Sequence, residues 1–474
     1  EGAQLNLLSR KETPLTLRRV LLFTNFFLII AAVYHLKPAS RSLFLSALGA
    51  DALPWVWIAT AVALGLTIGL YHRLIARFSR IHVVLGTCVI VISVLLGLYP
   101  LIDNGGFLPA FVFYVFVDMT SVILVEQFWS LTNSMSTTRE GKRWYGFIAT
   151  GGLVGGVVGG IASSAWIRQF GLETMDLLPI GAALFALLAL LTLLMGRLGL
   201  YAEKHGVDSH VSPSTGDWRA ILHHRYLLLI ALILLLAQMA EPIIEYQFMK
   251  VVEANITDRD ARTAYLGAFF SVLSAVAIGI NLLITPLIHR WLGALGGLFV
   301  QPLAVLAGSF WFMSQATLQA GAFLKIADRG LSYSINRASK ELLYVPIAPL
   351  LMFRAKAWID MFGYRLFKVT GSLLILLLTQ WIPWPLETAG LAWLVIGICL
   401  LGLVFAMPNL LYERVDQASY ARDQIEELQR QGRQVPAELR SQAEQWPSWL
   451  PGDVVNLGLD LRGGAHVLVE VQVQ

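Results

Sequence analysis

Cysteine is nearly missing from this chain, with only Cys88 and Cys399 among 474 residues. Both sit inside apolar runs, with no His or Cys nearby to complete a metal site. That excludes a disulfide framework and a zinc centre as organising features. Charge is scarce too, at 14% against 56% hydrophobic residues, and the mean hydropathy is +0.65. A soluble domain does not carry so much apolar surface, and the composition is that of a polytopic membrane protein. The net charge of +4 is modest and lies largely in short loops, so it bears on orientation in a bilayer and not on nucleic-acid binding. No glycine-rich loop is followed by Lys-Ser or Lys-Thr, so ATP hydrolysis at a phosphate loop is not inferred and no cofactor is implied. The opening stretch, Glu1 to Arg19, is polar and basic, unlike a cleavable signal with an apolar centre.

What the sequence does have is long apolar runs. About twelve reach the ~20 residues needed to cross hydrocarbon, at 19–36, 53–72, 81–102, 108–134, 145–167, 177–196, 226–248, 264–288, 294–313, 317–336, 358–382 and 388–411. A polar stretch from Gly199 to Leu222, with Pro213 and Gly216, separates the sixth from the seventh. It predicts six-helix bundles at 1–197 and 223–412 with a linker at 198–222. Lys and Arg gather in alternate loops, around Arg18 and Arg19, around Arg73 and Arg77, around Lys142 and Arg143, and from Arg197 to Arg225. Both termini are therefore expected on the cytoplasmic side of a bacterial inner membrane. Lys250, Arg259 and Arg262 break the pattern on the outer side, offset by Glu253, Asp258 and Asp260.

Charge inside the apolar runs follows a period of three. The first run ends in Lys37 and Arg41, four residues apart and on one helical face. The fourth carries Asp118 and Glu126, the seventh Glu241 and Glu245, and the tenth Lys325, Asp328 and Arg329. Arg337, Lys340 and Glu341 follow the tenth, and Asp360, Arg365 and Lys368 open the eleventh. A charge in hydrocarbon is costly, so this pattern predicts helices that share a polar path, in two halves related as a parallel repeat with a binding site at their interface.

Bland readings stand beside the functional ones. Lys37 and Arg41 can snorkel to the outer interface, and Arg337, Lys340, Arg365 and Lys368 read as inside-positive anchors. Glu126 reads as a partner for a cytoplasmic base. Lys325 or Arg329 with a seventh-helix carboxylate reads as a buried structural pair or as a gate. In the fifth run, Gly151, Gly152, Gly155, Gly156, Gly159 and Gly160 repeat the small-xxx-small spacing of close helix packing. Gln127, Phe128, Trp129 and Asn133 could hold a base, but Trp at that depth is read as an interface anchor.

At these residues the chain resembles the ATP/ADP exchange transporter family, a branch of the major facilitator superfamily. The matching stretches are Tyr34-His-Leu-Lys-Pro-Ala-Ser-Arg, Phe128-Trp-Ser-Leu-Thr-Asn with Glu140-Gly-Lys-Arg-Trp-Tyr-Gly, and Glu245-Tyr-Gln-Phe-Met-Lys. They continue with Tyr333-Ser-Ile-Asn-Arg-Ala-Ser-Lys-Glu and Lys356-Ala-Trp-Ile-Asp-Met-Phe-Gly-Tyr-Arg. The resemblance implies an all-α, twelve-helix alternating-access fold whose first, fourth, seventh and tenth helices line the cavity. It implies exchange of a small anionic solute of the nucleotide type by a monomer. Lys37, Arg41, Lys325, Arg329 and Asn336 would meet the solute, and Asp118, Glu126, Glu241, Glu245, Asp328, Asp360, Arg365 and Lys368 would couple or gate. Ser40-Arg41-Ser42 departs from the Arg/Lys-Asp-type sequence of the plastid and parasite exchangers, which leaves another anion or a lipid open as cargo, and proton-coupled carriage of a lipid or other solute as an alternative to exchange.

The end of the chain resembles a different family. Leu400 to Val415, Trp446-Pro-Ser-Trp-Leu-Pro-Gly and Val455-Asn-Leu-Gly-Leu-Asp-Leu-Arg-Gly-Gly-Ala-His are similar to the start of the protein-translocase subunit SecD. This implies Sec translocon components as possible partners, and a scaffold role as the alternative to transport. Residues 413–445 are expected to form a polar amphipathic helix and 454–473 one or two strands, a helix and strand appendage on the inner side.

Overall fold

A computed structural model describes residues 15–103, 106–135, 138–199, 225–336, 339, 359, 363–382, 387–410 and 412–447. Among the described residues there are no strands. The helices are α1 (Leu15–Leu48), α2 (Leu53–Arg77), α3 (Arg80–Asp103), α4 (Phe107–Met135), α5 (Thr138–Arg168) and α6 (Leu177–Arg197). They continue with α7 (Arg225–Asn255), α8 (Arg259–Gly279), α9 (Thr285–Ser314), α10 (Leu318–Leu331), α11 (Tyr364–Leu376) and α12 (Leu391–Leu410). Two more, α13 (Tyr412–Arg430) and α14 (Ala437–Glu444), form the tail.

Nine stretches among the described residues are long and apolar enough to span a bilayer, from Leu17–Leu48 to Gly296–Ser314. The eighth runs from Arg259 through a π turn at Ile280–Ile284 to Trp291. The three further spans expected from hydropathy fall on α10, α11 and α12. The first two have 14 and 13 residues, and each is extended by a π turn, Ser332–Asn336 or Leu377–Trp381.

The chain divides into two compact units, Glu1–His210 with Val252–Ala275, and Val211–Val251 with Val276–Gln474. In the first unit α1 packs on α4, α5 and α6, and α3 packs on α6. The glycines of α5 are why α1 can come so near. A Cβ on Gly155 would sit 2.5 Å from the Phe27 carbonyl oxygen, and one on Gly159 would meet the Ala31 backbone. Gly156 and Gly160, on the neighbouring face, admit Ser274, Ser271 and the Gly267 carbonyl of α8. The glycine run is a two-sided packing surface, as small-residue spacing in membrane helices favours.

Phe128 and Trp129 are part of that packing. Phe26 stacks on Phe128 at 4.6 Å, and Trp129 meets Phe26 and Tyr145 edge-on. The half-buried Trp129 ring thus lies between α1, α4 and α5. Gln127 is buried and donates to Thr87 at 2.8 Å.

In the second unit α9 packs on α10 and α12. Gly371 of α11 lies where a Cβ would be 2.5 Å from the Met239 carbonyl oxygen and 2.6 Å from the Pro242 ring. Pro242 interrupts the hydrogen-bond ladder of α7, and Gly371 lets α11 approach at that point. Lys368, one turn earlier, is thereby brought to Glu241.

The single amphipathic helix expected at 413–445 is two helices. Gly432 takes φ +68° and Pro436 precedes α14, so the helix stops and restarts. Arg422 of α13 donates to the Ala443 carbonyl at 3.2 Å and to that of Trp446, which closes the helical hairpin. The strands expected at 454–473 lie outside the described residues.

Candidate functional site

Ionisable side chains collect in each unit. In the first, Arg41 lies seven residues inside the C-terminal end of α1 and is 5% exposed, too buried to snorkel. Its guanidinium meets Asp118 of α4 at 2.5 Å, donates to Ser40 Oγ at 2.9 Å and lies 4.2 Å from the centre of the Tyr114 ring. Lys37, one turn earlier, turns to the faces of Tyr34 and Phe270, 5.3 and 5.0 Å away. Each such ring contact contributes about 0.5–2 kcal/mol. Glu126, by contrast, is exposed and does not join this group.

The outer basic cluster has a local explanation. Arg262 is buried and donates to the carbonyls of Ile256 and Thr257, the connection between α7 and α8, and to Ser46. Glu253 accepts from the Ala50 amide, Asp258 from the Ala261 amide, and Asp260 from Thr174. Arg262 and these acids serve helix ends, so Arg262 is not a loop charge available to set topology.

The second unit holds the denser cluster. Glu241 and Glu245 are one turn apart on α7, and Lys325 and Arg329 one turn apart on α10. Glu245 pairs with Lys325, and Glu241 with Arg329. The order is reversed between the two helices, as antiparallel neighbours require. Lys368 of α11 adds a second cation to Glu241 at 3.1 Å. Asp328 lies between the pairs, 4.0 Å from Lys325 and 3.8 Å from Arg329.

Among the described residues three cations thus face three carboxylates, and Lys325, Glu241 and Asp328 are each under 10% exposed at the side chain. Separating one such buried pair costs about 3–5 kcal/mol, unless another ion takes the vacated partner. A polyanion is such an ion. Lys and Arg at this spacing offer a point charge and a planar fork, the two donors that phosphates accept best.

Gln301 of α9 went unnoticed in the sequence. Its amide donates to the Asp328 carbonyl and to Oδ1, at 3.1 and 3.2 Å, and accepts from Asn336 at 2.6 Å. The π turn at Ser332–Asn336 carries Asn336 to this contact. A Gln in an otherwise apolar run was the available signal. Arg365 is half-buried on α11, and Asp360 lies outside the described residues, as do Arg337, Lys340 and Glu341.

The TLC ATP/ADP transporter family matches residues 95–407, about two thirds of the chain. The chain belongs to that family. The ADP,ATP carrier protein 1 of Chlamydia muridarum is 24% identical, with 76% of this chain and 81% of the carrier aligned. The carrier of the same name from Chlamydia trachomatis is also 24% identical, over 59% of this chain and 60% of its own length. Among solved structures, a mutant of the nucleoside transporter NupG aligns with a TM-score of 0.62 at 15% identity, over 82% of this chain and 99% of NupG. The D-xylose-proton symporter aligns with a TM-score of 0.56 at 13% identity, over 82% and 96%. At such identities these neighbours speak to the fold, which is that of the major facilitator transporters.

The tail matches separately. The SecD/SecF GG motif covers residues 448–474, and the SecD subunit of Rhodobacter capsulatus is 40% identical over 79 residues. The transporter spans 14% of that SecD's length and aligns with it over 17% of its own.

Proposed function

We propose that this multi-pass membrane transporter exchanges nucleotides of the ATP and ADP type by alternating access. The observation that carries the reading is the paired ladder of Lys325 and Arg329 against Glu245 and Glu241, in a chain of the ATP/ADP transporter family. In the empty protein the carboxylates occupy the cations and hold α7 to α10. A nucleotide's phosphates compete for the same two groups, with Asn336 beside them, so rearrangement of α7 against α10 waits on solute. That requirement makes the carrier an exchanger. In the first unit Lys37, held over rings, and Arg41, paired with Asp118, are the candidate anion contacts.

The alternate-loop distribution of Lys and Arg supports a bacterial inner-membrane location with cytoplasmic termini, and the transporter is taken as a monomer. Purified protein in liposomes tests the exchange: ADP inside should accelerate entry of labelled ATP. Entry that ignores internal ADP would remove exchange from the account.

The SecD-like tail supports a second, additional role in contacting translocon components. Deleting residues 413–474 is expected to strip co-purifying SecF-like or SecY-like subunits while leaving transport intact. Retention of those subunits by the shortened protein would end that role.

A further inference from the structure

The charge balance of the second unit has a consequence for protons. Among the described residues, three cations match three carboxylates while the site is empty. When phosphates take Lys325 and Arg329, the carboxylates lose two of the cations that face them, while Lys368 stays beside Glu241.

They are not left equally. Glu241 keeps Lys368 at 3.1 Å, and Glu245 is the most exposed of the three at 13%. Among the described residues the ion-pair partners of Asp328 are Lys325 and Arg329, and its side chain is 6% exposed. Its Oδ2 accepts no hydrogen bond among the described residues. Asp328 lines a cavity of about 50 Å³ bounded by Ala240 and Ile244 of α7, Gln301 and Pro302 of α9, and Cys399 of α12. Such a cavity has room for a few waters, since each needs roughly 10–15 Å³.

Among the described residues the charged and titratable groups around Asp328 are Lys325 and Arg329 on its own helix, Glu241 and Glu245 on α7, Lys368 on α11 and Cys399 on α12, while α9 contributes the neutral Gln301. Stripped of its two cations, a buried carboxylate is relieved most cheaply by neutralisation.

We propose that nucleotide binding to this transporter is coupled to uptake of a proton by the Asp328 carboxyl. The proton comes from water, binds Oδ2, the oxygen that faces the two cations without a hydrogen bond, and leaves when the nucleotide leaves and Lys325 and Arg329 return. No bond to the nucleotide is made or broken. In one-for-one exchange each nucleotide carries its proton, so net proton movement cancels and the signature lies in binding. The inference rests on the nucleotide reading above.

The test is calorimetry of ADP binding to the full chain, in buffers of low and high ionisation enthalpy such as HEPES and Tris, at a pH where ADP is fully ionised. The parent is expected to take up about one proton per ADP, and its affinity to fall with rising pH, by up to about tenfold per unit. Asp328→Asn should bind ADP without buffer-dependent heat. ADP binding with no proton uptake in the parent, or undiminished uptake in Asp328→Asn, overturns the proton coupling while leaving the nucleotide reading intact. Failure of the folded parent to bind ADP at all overturns both. The pH dependence of parent affinity needs no variant, and a flat profile overturns the coupling by itself.

Discussion

Replacing Lys325 with alanine is expected to weaken ADP binding about ten- to a hundredfold, because a hydrogen bond to a charged group contributes about 1.5–3 kcal/mol. Transport should fall at least as far, since the same cation also holds Glu245 in the empty protein. A structural role would give a similar loss by another route. Removing one member of a buried pair strands the other and destabilises by about 3–5 kcal/mol. The double variant Lys325→Ala/Glu245→Ala separates the two causes. It removes the stranded carboxylate and should recover much of the thermal stability, yet remain inactive in ADP uptake. Recovery of uptake along with stability would make Lys325 a structural partner only.

Gly159→Leu is expected to prevent assembly of the first unit. A Cβ at this position meets the backbone of Ala31, not a side chain that could turn aside. α1 and α5 would have to separate along their contact, losing the fits at Gly151 and Gly155 as well. Overpacking in an ordinary core costs about 1–3 kcal/mol; here the obstructing atoms are backbone and the strain spreads along two helices. Gly65→Leu is the control, since a Cβ there meets nothing within 4 Å. Size-exclusion chromatography and thermal unfolding in detergent should show a folded Gly65 variant and an aggregated or absent Gly159 variant. A Gly159→Leu protein as stable as the parent would refute the packing role of the stripe.

The fold was legible wherever apolar length decides it. Nine of the expected spans appear as helices because about 20 apolar residues have one stable arrangement in hydrocarbon, although α1 runs twelve residues past its expected end at 36, to Leu48, and α7 seven past 248, to Asn255. The helices beyond Ser314 were harder to place, since polar residues and π turns shorten the regular stretches, as at Ser332–Asn336.

The site was legible by charge type and spacing: Glu241 with Glu245, and Lys325 with Arg329, each repeat at one helical turn. Who pairs with whom was not, because that depends on the antiparallel approach of α7 and α10. Lys37 and Arg41 show the same limit. They share a helical face in sequence, yet one turns to rings and the other to Asp118. Gln301 was missed because a single uncharged amide carries no pattern.

The central claim is that a nucleotide must displace the internal carboxylates before the protein can change state. Counterflow measures this directly: vesicles containing the purified transporter are loaded with ADP or with buffer alone and offered labelled ATP. The account predicts rapid ATP accumulation with ADP inside and little without it. Equal ATP entry into both sets of vesicles, or none into ADP-loaded vesicles holding folded protein, would contradict it.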